Sequence, residues 1–466
     1  FDGTGALIAN APHMPVHLGS MGDSVLAVRD RALETGRLAE GNAWLVNNPY
    51  RGGTHLPDLT VVMPVFEDGQ CRFWVAARGH HADIGGTTPG SMPPDTRTLD
   101  EEGVLFDSFL LVEAGTLCEE ALRAELGKGP WPARDPDRNL GDLAAQIAAC
   151  ARGAVDIRVM VAEFGLPVVE AYMHHVQANA AEAVRRALDR LDDGDFTYPL
   201  DDGTQVCVAL TIDHEARRAR IDFTGTSPQK ANNFNAPPAI CRAATLYVMR
   251  TLIDEDIPMN DGCLWPVDLV IPDGSMLAPR FPAAVVAGNV ETSQVITDAL
   301  YGATGTLAGA QGTMNNFTFG NARHQYYETI CGGSGAGPDF DGTDGVQTHM
   351  TNSRLTDPEV LEWRFPVLVE SFAIREGSGG EGRHRGGNGV VRRIRFLEEM
   401  TATILSNRHV VPPFGLAGGG PGQVGRNRVL RADGSEEVLG STASTTMRPG
   451  DVFVIETPGG GGFGAA

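Results

Sequence analysis

Two apolar runs joined by Asp68–Gly69 constrain the fold of this chain more than any other short feature. "LTVVMPVF" precedes the turn and "CRFWVAARG" follows it, and Asp-Gly between two apolar strands is a strong signal for a two-residue β-hairpin. Pairing the strands across this turn places Asp58 opposite Gly79. The hairpin therefore brings "THLPD" at 54–58 and "GHHAD" at 79–83 to the same end of a sheet.

The segments that meet at this end are rich in metal-ligating side chains, namely His55, Asp58, His80, His81 and Asp83. Imidazoles and carboxylates that converge from two loops suit a divalent metal such as zinc, manganese or iron. A hydrogen-bonded polar cluster that braces the hairpin is the alternative. Strict strand alternation puts His81 on the same face as Asp58, whereas a bulge near Gly79 puts His80 there. The spacing alone leaves both open.

The composition excludes several classes of protein. The chain has 466 residues, which favours two or three packed units. Its 58 glycines indicate many tight turns and close backbone approaches, and its net charge of −22 argues against nucleic acid or an anionic membrane as a partner. No apolar run approaches the roughly 18 residues of a membrane span.

The cysteines indicate a reducing compartment. All seven are scattered along the chain and none forms a C-x-x-C pair, so a disulfide framework is not expected and a cytoplasmic location is the simpler interpretation. The sequence begins at "FDGTGALIANAP" without a methionine. We therefore expect that an N-terminal piece precedes it.

The pattern of elements predicts a mixed, strand-rich α+β fold with several domains. We expect an α/β region over 1–135 that carries the metal site, a helical hairpin over 136–195, and a β-rich region over 196–466 that is subdivided near 330. A first helix is expected over Asp23–Glu34. The hairpin helices should run from Asp142 to about Leu191 and break at "FGLP".

Short apolar runs bounded by Gly, Pro or Asp predict strands in the C-terminal part, at "QVCVALTID", "ARIDFTG", "PVDLVIP", "AAVVAG", "VVRRIRFLE" and "DVFVIETPG". The tail "TPGGGGFGAA" is typical of a flexible linker, and an ordered loop close to a partner or substrate is the alternative.

Longer motifs connect the sequence to a known family. "APHMPVHLGSM", "NNPYRGGTHLPDLTVVMPVF", "RGHHADIGG", "DFTGTSPQ", "GNVETSQ", "GVQTHMTNSRLTDPEVLEWRFPV", "SGGEGRHRGGNGV" and "TPGGGGFG" occur in this order over nearly the whole chain. Together they resemble the hydantoinase B/oxoprolinase family.

This resemblance implies a subunit of a heteromeric, ATP-dependent enzyme, in which a partner A subunit of actin-like ATPase fold phosphorylates the substrate and the B subunit holds a divalent metal. The family pattern places the ligands on His55, Asp58 and His80, and so favours the bulged register. We expect Asp83 to orient one of the paired histidines and Glu102 to be a weaker candidate for proton transfer.

Two departures from the family pattern affect the site. The family has a further aspartate ligand at a position upstream of Phe1, which leaves the fourth ligand unassigned. Asn48 replaces the aspartate of an "N-D-P-Y" motif, which keeps the turn-forming hydrogen bonds and removes a negative charge.

Other polar residues are expected to be structural or peripheral. A structural role is expected for His13 and His17, with a place near the site as the alternative. His174 and His175 are expected on a helix surface or in packing, and His349 and Glu328 are candidates to line the pocket. The Gly-rich stretches lack the Lys-Ser/Thr of a phosphate-binding loop, and no G-x-S-x-G elbow occurs. An ATP site on another chain agrees with this pattern.

Three functions follow as hypotheses. The first is the metal-binding subunit of an ATP-dependent hydantoinase or 5-oxoprolinase that opens a cyclic amide. The second is the matching subunit of an acetone- or acetophenone-type carboxylase, and the third is a non-catalytic scaffold. In each case a heterotetramer or larger assembly with an ATPase subunit is expected.

Overall fold

The computed structural model describes residues 1–11 and 13–466 and confirms the α+β class. Among these residues lie seven α-helices: α1 Pro15–Glu34, α2 Glu119–Leu126, α3 Pro136–Phe164, α4 Leu166–Leu188, α5 Pro238–Thr251, α6 Ser293–Thr304 and α7 Pro358–Arg364. None of the described helices is long and apolar enough to cross a membrane.

The first sheet is built around the predicted hairpin. Its strand order is β3-β2-β1-β4-β5, with β1 Ala43–Val46, β2 Asp58–Glu67, β3 Gln70–His80, β4 Phe109–Glu113 and β5 Thr116–Leu117. One face packs its tryptophans, Trp44 and Trp74, against Val25 and Val28 of α1. The other face packs against α3, so the sheet lies between two helices.

Helix α1 starts eight residues earlier than the sequence predicts. Gly19 and Gly22 lower the helix propensity of its first turns, but a Cβ on Gly19 would lie 2.4 Å from Ala243 Cα of α5. Close helix packing therefore outweighs propensity here. The extra turns place His17 inside α1.

The helical hairpin forms close to its predicted place. Asp135 caps α3 by accepting a hydrogen bond from Arg138 N, and Pro136 occupies the first helical position. The hairpin breaks at Gly165, whose φ of 85° lies in the region that favours glycine.

The middle of the chain forms a four-stranded sheet that packs on helices. Its order is β6-β7-β8-β9, with β6 Gly194–Pro199, β7 Gln205–Asp213, β8 Arg218–Asp222 and β9 Val267–Val270. Helices α4, α5 and α6 cover one face, and the largest hydrophobic core lies between them and the sheet.

Nine further strands form the C-terminal part: β10 Asn316–Gly320, β11 Gln325–Thr329, β12 Val367–Arg375, β13 Gly389–Phe396, β14 Met400–Leu405, β15 Arg426–Leu430, β16 Glu436–Leu439, β17 Thr442–Met447 and β18 Val452–Glu456. They make two antiparallel sheets, β11-β10-β14-β17 and β12-β13-β18-β15-β16. Phe317, Ile404, Ile394 and Phe453 fill the core between the sheets, as in a β-sandwich.

The predicted strand "AAVVAG" is wrong. The backbone N–H groups of Val285 and Val286 donate to the carboxylate of Glu102 and not to a neighbouring strand. The chain then turns into a π-helical segment, Gly288–Thr292, which runs directly into α6. Because the buried carboxylate accepts the hydrogen bonds of these N–H groups, the apolar run does not need a neighbouring strand as acceptor.

The glycine-rich tail is buried from Thr457 to Phe463 and is hydrogen-bonded to the rest of the chain, so the linker interpretation is wrong. Gly460 N donates to Gly387 O at 2.8 Å, and Gly461 N donates to Gly309 O at 2.7 Å. A Cβ on Gly460 would lie 1.9 Å from Ser334 O. The tail therefore threads between backbones that approach too closely for any side chain.

Candidate metal centre

Asp58, the first residue of β2, is the centre of a buried polar cluster. Its side chain is shielded from solvent, and two of the imidazoles around it belong to the predicted ligands. His55 Nε2 lies 3.0 Å from Asp58 Oδ2, and His80 Nδ1 lies 3.0 Å from Oδ1. One ligand atom from each of the three residues falls within 4.8 Å of the others. The structure therefore brings together the three residues on which the family pattern places ligands.

The register of the hairpin explains why His80, and not His81, faces Asp58. Asp58 pairs with His80 because the ladder shifts by one residue between Val65 and Phe66. A bulge of this kind adds one residue to a strand and changes which side chains face each other. The predicted pairing of Asp58 with Gly79 is therefore wrong, and the bulge lies near the turn.

His81 points away from Asp58. His81 Nε2 lies 3.1 Å from Gln146 Oε1, and its Nδ1 lies 3.0 Å from Asn139 Nδ2. Both partners belong to α3. His81 therefore fixes the hairpin end to the helix and leaves the centre to its neighbour.

Backbone and amide groups hold the ring of His55. Its Nδ1 lies 3.3 Å from Val286 O, and its Nε2 lies 3.1 Å from Asn289 Nδ2. With a proton on Nδ1, the ring would donate to Val286 O, and its Nε2 lone pair would face Asn289 Nδ2 or a metal. Asn289 belongs to the π-helical segment, a geometry that is frequent at functional sites.

His17, for which the sequence favoured a structural role over a place near the site, lies beside the centre. The first turn of α1 carries it to the cluster, where His17 Nε2 lies 2.9 Å from Asp58 Oδ2. The only signal in the sequence was its place in "HMPVHLG". Burial alone would raise the pKa of Asp58, but the charges and hydrogen bonds of His17 and His55 hold that pKa well below its usual value. Asp58 is therefore an anion in spite of its burial.

The donor set fits a divalent cation. Two imidazoles and one carboxylate are ligands that zinc, manganese and iron accept. His80 Nε2 is buried and has no hydrogen-bond partner within residues 1–11 and 13–466. A cavity of about 210 Å³ adjoins the three residues, and Tyr327, whose ring centroid lies 4.8 Å from that of His80, forms part of its wall.

Asp83 does not orient either histidine, which corrects the sequence expectation. Its carboxylate accepts hydrogen bonds from the backbone N–H groups of Gly85 and Gly90 and forms an ion pair with Arg134 Nη1 at 2.8 Å. These contacts use both of its oxygens. Asp83 therefore stabilises the loop that follows the hairpin.

Glu102 lies behind the centre and outside the cavity wall. It accepts hydrogen bonds from Val285 N, Val286 N and Thr96 Oγ1. Burial raises its pKa to about 8. Glu102 therefore contacts the backbone segment whose Val286 O faces His55, and it does not line the cavity where the sequence expectation of proton transfer would need it.

The remaining candidates fall into three groups. His17 and Glu328 line the cavity, whereas His349 pairs with Asp298 at 3.2 Å and lies outside it. His13, His174 and His175 are exposed. Asn48 keeps the predicted turn, since its Oδ1 accepts a hydrogen bond from Tyr50 N at 3.0 Å.

The chain belongs to the hydantoinase B/oxoprolinase family, whose model matches residues 1–466. It is 46% identical over 494 residues to 5-oxoprolinase 1 of Arabidopsis thaliana. This match covers 100% of the chain and 38% of that relative, so the chain spans about two fifths of its length.

Two solved structures share the fold. The ATP-dependent caprolactamase from Pseudomonas jessenii superposes with a TM-score of 0.87 at 24% identity, over 100% of this chain and 84% of that one. A nucleotide-free acetone carboxylase superposes with a TM-score of 0.89 at 18% identity, over 100% and 70%. At these identities the likeness establishes the architecture alone.

Proposed function

We propose that this chain supplies the metal centre of an ATP-dependent hydrolase of the 5-oxoprolinase type, which opens a cyclic amide. The convergence of His55, Asp58 and His80 on one cavity is the observation that carries the proposal. The family membership and the 46% identity to a 5-oxoprolinase support the choice of reaction.

In this proposal His55, Asp58 and His80 hold one zinc, manganese or iron ion. A divalent cation in such a set polarises an oxygen of the substrate and acidifies a water. Val286 O fixes the tautomer of His55, and Asn289 Nδ2, 3.2 Å from Asp58 Oδ2, orients the carboxylate. Hydrogen bonds of this kind around metal ligands affect metal affinity about 10- to 100-fold.

ATP is needed because amide resonance makes a lactam carbonyl a poor electrophile. The ATPase unit transfers a phosphoryl group from ATP to the lactam oxygen. A water then adds to the same carbon, the C–N bond breaks, and the nitrogen takes a proton. A second water releases phosphate, so one lactam, one ATP and two waters give one amino acid, ADP and phosphate. The ATPase unit is either a separate A subunit or part of the same polypeptide. The second arrangement is open because this chain matches only 38% of the Arabidopsis relative.

Metal analysis is the first test. We expect about one zinc, manganese or iron per purified chain, lost in Asp58→Asn and in His80→Gln. His174→Ala is the matched control, because it removes an exposed imidazole from a helix surface. Full metal content in both ligand variants would refute the assignment. A metal-free wild type that still assembles with its ATPase unit would favour the scaffold hypothesis.

An assay with the ATPase unit present then separates the two enzymatic hypotheses. Consumption of ATP together with ring opening of 5-oxoproline supports the hydrolase. ATP-dependent incorporation of labelled bicarbonate into a ketone, without lactam opening, would support the carboxylase instead.

A further inference from the structure

The cavity at the metal centre has one arginine whose charge is not compensated. Arg354 lines the cavity on the loop between β11 and α7. It is exposed, and neither an ion pair nor a side-chain hydrogen bond joins it to any residue within 1–11 and 13–466.

The acidic groups of the cavity are already engaged. Asp58 contacts three histidines. Glu328 accepts hydrogen bonds from Arg392 Nε at 2.8 Å and from Arg392 Nη2 at 3.0 Å, and this buried pair has no net charge. The guanidinium of Arg354 is therefore left as an excess positive charge at the cavity wall. A divalent cation at Asp58 would add to this excess.

The loop that carries Arg354 is held on two sides. Asn352 Nδ2 donates to His13 O at 3.0 Å, and the hydroxyl of Ser353 hydrogen-bonds with that of Thr329 at the end of β11. The residues before Arg354 are thus tied both to the segment before α1 and to a strand. This anchoring keeps the backbone of Arg354 beside the cavity, while its guanidinium has no side-chain partner in the described part of the chain.

We propose that Arg354 is the subsite for an oxyanion of the substrate, a step that rests on the proposed function. The planar guanidinium presents paired N–H donors that match a carboxylate or a phosphoryl group. Two sources supply such a group in a 5-oxoprolinase-type reaction. One is the carboxylate beside the lactam nitrogen, and the other is the phosphoryl group that ATP places on the lactam oxygen.

The test uses ligand-observed NMR titrations of the whole purified chain with three probes. These are 5-oxoproline, 2-pyrrolidone, which has the same ring without a carboxylate, and inorganic phosphate. Arg354→Gln removes the charge and Arg354→Lys retains it. Arg364→Gln is the matched control, because Arg364 is also exposed, has no ion pair in the described part of the chain, and lines the neighbouring cleft on the other side of His80.

If the substrate carboxylate is the ligand, Arg354→Gln weakens 5-oxoproline binding about 10- to 100-fold, as for the loss of a hydrogen bond to a charged group. Binding of 2-pyrrolidone stays unchanged, and Arg354→Lys restores part of the loss. If the phosphoryl group is the ligand, phosphate binding falls by the same factor and 5-oxoproline binding does not.

Unchanged binding of both anions in Arg354→Gln, an equal loss in Arg364→Gln, or no anion binding by wild type would overturn the subsite. Metal content is measured in parallel and should not change in either arginine variant. A metal-free chain with an Arg354-dependent anion site would refute the metal centre alone. A metal-loaded chain without that site would refute this inference alone.

Discussion

Glu102→Gln tests whether burial raises the pKa of the carboxylate behind the metal centre. The side chain is fully buried, and burial raises its pKa from 4.5 to about 8 although Val285 N, Val286 N and Thr96 Oγ1 all favour the anion. Glutamine keeps the shape and still presents an oxygen to Val286 N. The substitution therefore removes the titration with little change of structure.

The sign and size of the effect follow from the two pKa values. Between pH 4.5 and about 8 the folded protein keeps the proton of Glu102 and the unfolded chain has lost it. The folded state then binds more protons, so its stability falls as the pH rises. Each pKa unit corresponds to about 1.36 kcal/mol. Glu102 therefore costs the wild type up to about 5 kcal/mol of unfolding free energy by pH 8.

The assay is guanidinium unfolding of wild type and Glu102→Gln at several pH values between 5 and 8.5. We expect the unfolding free energy of the variant, relative to that of the wild type, to increase by about 1 kcal/mol per pH unit across this range. Glu291, whose pKa burial also raises to about 8, is present in both proteins and cancels in the difference. Exposed Glu113→Gln is the control and should give a flat difference. A flat difference for Glu102→Gln would mean that its three hydrogen-bond donors outweigh burial, and our reasoning would be refuted.

Three further predictions test other parts of the structure. Gly460→Ala should lower the unfolding free energy by about 1–3 kcal/mol or more, because its Cβ would meet a backbone oxygen at 1.9 Å. The control is Gly141→Ala on a helix surface, where the new Cβ has no atom within 4 Å. It should raise the unfolding free energy by about 0.5–1 kcal/mol. Arg392→Met should cost about 3–5 kcal/mol in the same unfolding assay, since it leaves Glu328 buried without its partner, and adding Glu328→Gln should recover part of this loss. Asp83→Asn should leave the metal content unchanged, because the carboxylate of Asp83 contacts neither His80 nor His81. Metal loss in this variant would instead support an orienting role for Asp83.

Local signals were enough to predict the elements that depend on local chemistry. The Asp-Gly turn of the β2–β3 hairpin and the Gly165 break of the helical hairpin each follow from residues that lie in the turn itself. The pattern of elements predicted the fold class, and the hairpin brought the candidate ligands together. The choice of His80 over His81 came from the resemblance of long motifs to a known family. The division into domains and the metal itself stay predictions.

Elements that depend on distant contacts could not be predicted in this way. The early start of α1 rests on the approach of Gly19 to α5, and with it the position of His17 beside Asp58. "AAVVAG" has the composition of a strand, but its N–H groups bind Glu102, a residue more than 180 positions away. A sequence window contains only one side of each contact.

The register of the metal centre is the clearest case of such a distant dependence. His80 faces Asp58 only because β3 has one extra residue, Arg72, at the bulge between the pairs Phe66–Cys71 and Val65–Phe73. At this bulge the first residues of the chain add to the edge of β3, where Asp2 bridges to Phe73 and Phe1 O accepts a hydrogen bond from Trp74 N. A change in this edge pairing that removed the bulge would move His80 off the face of Asp58 without altering any ligand. The geometry of the centre is therefore set at the other end of the hairpin, by contacts that the motif "THLPD" does not contain.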